Sequence, residues 1–207
     1  MLARRMLYTG LPATMGVVMI AVGLAQAGAA APAIPQPSSH PQAVTTDEKI
    51  ATAMAAAPAA ISTNATILDN EMDAAGKPVV LREGSNDWTC FPDLASTPSN
   101  DPMCLDQAWM AWAEGLMTKT EPQITHAGLA YMLEGGSDAS NTDPFATEPA
   151  TGDDWVSSPA HVMLLLPDKF DQSVFGTDPE SGMPYIMWAG TPYEHIMMPV
   201  AATADGG

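Results

Sequence analysis

The 207-residue chain carries 24 acidic and seven basic side chains, a formal net charge of −17. A surface of that sign repels phosphate backbones and anionic lipid, which argues against nucleic-acid binding, and it attracts cations and basic partners. Two cysteines, Cys90 and Cys104, are too few and too far apart for a structural zinc site or a C-x-x-C redox motif.

Arg4 and Arg5 open a segment whose apolar run, residues 11–25, ends in Ala25-Gln26-Ala27, small residues at the positions a signal peptidase reads. We expect residues 1–27 to be a signal peptide, since a membrane span needs about 20 apolar residues. The arginine pair matches a twin-arginine signal only in part. Loss of Arg4 and Arg5 takes the net charge from −17 to −19. Residues 28–43, "GAAAPAIPQPSSHPQA", read as a flexible tether rich in Ala and Pro. The remainder, 44–203, has the length of one domain. The expected location is periplasmic or secreted, with no stable membrane span after cleavage. In such a compartment Cys90 and Cys104 pair as a disulfide.

Thr45 and Glu48 are spaced as a capping box, and Ala-rich sequence continues a helix until Pro58. Short β-prone runs follow at 65–68, 78–82 and 88–91, separated by turn residues. "DPMCLDQAWMAWAEGLMTK" then predicts a helix with Asp101 as N-cap and Pro102 at the first helical position. Leu105, Trp109, Trp112 and Leu116 would form its apolar stripe. Further strands are expected at 127–133 and 161–166. "PYIMW" and "YEHIMMPV" form an expected hairpin around the turn Gly190-Thr191-Pro192. Residues 134–160 and 167–183 read as loops. The pattern predicts a single α+β domain: an antiparallel or mixed sheet, packed on one face by one or two helices and braced by one disulfide.

"WTCFPD", "DPMCLD", "GGSDASNTDPFAT", "HVMLLLP" and "WAGTPYEHIMMPV" together resemble a group of small exported bacterial proteins. The resemblance spans about residues 79–200 and implies export; it assigns no activity.

Three chemistries compete for the remaining signals. Ser137, in Gly135-Gly136-Ser137-Asp138-Ala139, lacks the last glycine of a G-x-S-x-G nucleophile elbow. His161 or His195 would be its base only if the fold brings it within about 3 Å. Asp138, Asp143, Asp153 and Asp154, with His161 and Glu194 nearby, are donors suited to a divalent cation, although their spacing fails the EF-hand pattern and fits Asx- and ST-turns. In the hairpin, the expected register pairs Met187 with His195 and Tyr185 with Met197. All four then share one face, a thioether and imidazole set that copper would accept, or simply a strand pair buried on both sides. His126 and His161 sit beside apolar runs as structural histidines. The expected role is non-catalytic binding of a small ligand, cation or partner outside the cytoplasm, an envelope protein being one such partner. The alternatives are a hydrolase using Ser137 or a metal-bound water, and a structural protein of the envelope.

Overall fold

The computed structural model describes residues 44–200. The expected signal peptide and tether, and residues 201–207, lie outside them. The first helix, α1 (Thr46–Ala55), begins where Thr45 and Glu48 cap each other: the Glu48 N–H donates to Thr45 Oγ1 at 3.3 Å, and Glu48 Oε2 accepts from Thr45 N at 2.8 Å. Pro58 cannot extend it and instead caps a single further turn, α2 (Ala59–Ser62).

The strands are β1 (Thr66–Met72), β2 (Pro78–Arg82), β3 (Thr89–Phe91), β4 (Met103–Leu105), β5 (Gly128–Met132), β6 (Gly136–Asp138), β7 (Val156–Ser158), β8 (His161–Leu165), β9 (Tyr185–Met187) and β10 (His195–Pro199). Eight of them form one sheet in the order β2-β1-β3-β4-β5-β8-β10-β9. Every neighbouring pair is antiparallel except β1 and β3. The sheet is therefore mixed and the domain α+β. Strands β6 and β7 form a separate two-stranded ribbon.

The helix expected to start at Asp101 starts later. The third helix, α3, runs Gln107–Thr118 with Asp106 as its N-cap, while residues 103–105 are strand β4. Cys104 lies directly opposite Cys90 in the antiparallel β3–β4 pair, and the two form a disulfide. That crosslink binds two strands; it does not reach a helix. Backbone pairing of 103–105 on both edges outcompetes a helical first turn, which would leave that ladder empty. Asp106 does more than cap. Its Oδ1 accepts from Trp109 N at 3.0 Å and its Oδ2 from Leu129 N at 2.6 Å, so one carboxylate fastens α3 to β5.

Alternation along β4 divides the core in two. Cys104 points to α1, its Sγ 3.6 Å from the Ala53 carbonyl oxygen, within a cluster of Ala53, Ala56, Ala57, Ala65, Ile67 and Cys90. Leu105 points the other way, into a larger cluster with Trp109 and Trp112 of α3. Successive side chains of a strand face opposite sides. The helices thus cover opposite faces of the sheet, not one face as expected, because β4 is apolar on both sides. Gly128 lets α3 approach closely: a Cβ there would stand 2.8 Å from that of Ala108.

Candidate functional site

On the α3 face the sheet is not completely filled. A cavity of about 330 Å³ lies between α3, the inner face of β4, β5, β8, β9 and β10, and the segment 137–146. Its floor follows from strand register. His195 is paired with Met187, Met197 with Met163, and Met163 with Ala130. Side chains opposite one another in a ladder share a face. Met163, Met187, His195 and Met197 consequently line the cavity together, with Met103 and Met132 beside them. Trp109, Trp112 and Trp188 form the walls around His195. Their ring centroids are 5.2, 5.4 and 5.2 Å from its imidazole, each edge-on.

Apart from His195, the polar groups of the lining come from two joined segments, Thr97 and Asp101 on one and Ser137, Asp138, Ser140 and Asp143 on the other, linked by Ser99 Oγ donating to Ser137 Oγ at 2.8 Å. Asp101, 4% exposed, is held by three bonds. Its Oδ1 accepts from Leu94 N at 3.0 Å, its Oδ2 from Thr97 Oγ1 at 2.6 Å, and its own N–H donates to Asp93 Oδ1 at 3.0 Å. Burial still raises its pKa above the usual carboxylate range, with the Asp93 charge adding to the effect. Asp138 is half-buried. Burial first, and the Asp101 charge second, push its pKa to about 6, and among the described residues no hydrogen bond offsets them. On the wall from α3, Trp109 is 1% exposed and its Nε1–H has no partner among the described residues.

The candidates drawn from sequence fall into separate groups. The Ser137 hydroxyl is bonded to Ser99 Oγ at 2.8 Å, not to a histidine. His161 Nδ1 is 2.7 Å from the Pro159 carbonyl oxygen and His195 Nδ1 is 3.0 Å from that of Tyr193. A carbonyl only accepts, so each Nδ1 carries the proton and each Nε2 the lone pair. His161 Nε2 is buried and has no partner among the described residues. Burial lowers the pKa of both, that of His195 to about 4, so both are neutral at pH 7. His126, expected to be structural, is exposed, with its Nδ1 3.2 Å from Thr125 Oγ1.

Asp138 and Asp143 border the cavity, whereas Asp153 and Asp154 are exposed and stand away from it. Asp143 also accepts from Phe145 N at 2.9 Å, the Asx-turn its spacing implies. Glu194 accepts from Gly190 N at 2.7 Å and from Phe170 N at 3.2 Å, and it lies 3.7 Å from Lys169 Nζ. It braces the hairpin turn, where Gly190 has φ +80°. Among the described residues no three His, Cys, Asp or Glu side chains are grouped to hold a metal ion. The hairpin pairs as expected, Met187 with His195 and Tyr185 with Met197, and Ile186 and Ile196 on its other face are buried too.

Sequence reasoning did not assemble this cavity. Five of its methionines are spread over the strands β4, β5, β8, β9 and β10, of which the sequence groups only the Met187 and Met197 face of the hairpin, and Asp101 reads there as a helix cap. Among the described residues no helix is long and apolar enough to cross a membrane. No family model, curated protein or solved structure matches this chain.

Proposed function

We propose that the protein binds a small, mainly apolar organic molecule outside the cytoplasm and does no chemistry on it. The observation that carries this reading is the 330 Å³ cavity, walled by methionine and tryptophan, with its few polar groups, apart from His195, on two joined segments of the lining. That division is typical of small-molecule sites, in which apolar walls supply affinity and a few placed polar atoms orient the ligand. Methionine is flexible and polarisable, so such walls adapt to ligand shape. A hydrolytic reading lacks its central contact, because neither imidazole is bonded to the Ser137 hydroxyl.

Titration with N-phenyl-1-naphthylamine tests this. The dye should bind with one-to-one stoichiometry and receive excitation energy from the cavity tryptophans. Ala113, on the α3 wall, is only partly buried, so Ala113→Phe fills the space while tolerating the fold. Loss of dye binding in that variant supports the site. No binding to the wild-type protein, or binding unchanged in Ala113→Phe, overturns it.

A further inference from the structure

The carboxyl groups of the lining are unequal, and the inequality points to a ligand class. Asp101 is fully engaged by Leu94 N and Thr97 Oγ1. Asp138 borders the same cavity, is half-buried, and is held by no hydrogen bond among the described residues. An ionised carboxylate without a donor beside apolar surface is costly. Asp101 and Asp143 place further negative charge around the cavity, and among the described residues no Lys or Arg lies in its lining.

We propose that the ligand is an amphiphilic amine, its ammonium group donating to the Asp138 carboxylate and its apolar body lying against the Met and Trp walls. This rests on the cavity being the binding site and adds the charge of what it takes. An ammonium supplies the donors that Asp138 lacks, and its charge is opposite to every formal charge of the lining. An anionic amphiphile would meet three aspartates and, among the described residues, no cation in the lining. The overall acidity of the chain draws the same ligands toward the surface.

The test is displacement of bound N-phenyl-1-naphthylamine by three probes of one chain length: octylammonium, octanol and octanoate, at pH 7.5. A charge-assisted hydrogen bond corresponds to about tenfold or more in affinity. Octylammonium should therefore displace the dye at least about tenfold more effectively than octanol, with octanoate weakest. Asp138→Asn should bring octylammonium to within about twofold of octanol. Asp153→Asn removes the same charge from an exposed position away from the cavity and should leave the preference intact. Equal displacement by all three probes, or equal loss of preference in the two variants, overturns the amine assignment while leaving the cavity reading in place. If the dye binds and none of the probes displaces it, the amine assignment fails. If the dye itself does not bind, the cavity reading fails and takes the assignment with it.

Discussion

The Trp188 indole N–H donates to the Ser140 carbonyl oxygen at 2.8 Å, from a residue whose backbone is left-handed at φ 52°. That conformation is unfavourable for a bulky side chain and persists only where surrounding contacts enforce it. Here Trp188 N also donates to the Asn141 carbonyl at 2.9 Å, while Thr191 Oγ1 donates to the Trp188 carbonyl at 2.8 Å. The strained residue thus holds the segment bearing Asp138 and Ser140 against the cavity. Trp188→Phe keeps a ring parallel to Trp112 but deletes the indole donor. It should cost about 1 kcal/mol, lowering the melting temperature by about 2–4 °C. Amide exchange should accelerate in residues 138–144 more than in β5 or β8. Uniform acceleration throughout the domain would show that Trp188 does not act on that segment.

Asp138 has a stability consequence with a definite sign. Its folded pKa of about 6 stands above the ordinary 3.8, so between those values the folded state holds the proton that the unfolded state has released. Stability contributed by this group is complete below about pH 4 and declines as pH rises to about 6. The groups nearest in the fold are Asp101, which raises the pKa, and Tyr185, whose own ionisation Asp138 opposes. Asp138→Asn should therefore raise the melting temperature by a few degrees at pH 7.5 and have little effect at pH 4. A variant equally or less stable than wild type at pH 7.5 would contradict the desolvated carboxylate.

Much of this architecture can be read from residue patterns, and the failures share a cause. The capping box at Thr45 and Glu48 and the hairpin register of Met187 with His195 follow from local chemistry, and both form as read. Residues 103–105 were misread because Asp101-Pro102 is a good local helix start and only the β3 and β5 neighbours reveal a strand. Ribbon β6–β7 lies in a stretch rich in Gly, Ser and Asp, where no alternation marks it. The cavity is harder still. It is a gap left by one helix and six strands, and no single segment encodes a volume that its neighbours fail to fill.

The disulfide should matter unevenly. Cys90 and Cys104 are fully buried in the cluster under α1, on the opposite side of the sheet from the cavity. Closing a loop with a sequence separation of 14 stabilises the fold by about 3 kcal/mol in the chain-entropy model. Cys90→Ala/Cys104→Ala should lower the melting temperature by about 6–12 °C. Because α3 and the cavity stand on the other face, dye affinity well below the melt should change less than about threefold. A larger loss of binding in a folded variant would show that the two faces are coupled.

His195 should make the fold sensitive to acid. It is 2% exposed, enclosed by Trp109, Trp112 and Trp188, and its charged form is opposed by burial first and then by His161. Its folded pKa of about 4 lies below the ordinary 6.5, so the unfolded chain binds the proton first as pH falls. The neutral, buried ring contributes stability that is fully present above pH 6.5 and is lost on the way down to pH 4, in total about 3 kcal/mol. Asp138 works in the opposite direction over an overlapping range, which flattens the wild-type profile. The measurement is therefore cleanest in the Asp138→Asn background, as the urea midpoint between pH 7 and pH 4.5. The midpoint should fall steeply there, and adding His195→Gln should remove most of the slope while leaving the smaller share from buried His161. A slope unchanged by His195→Gln would place the acid sensitivity elsewhere in the domain.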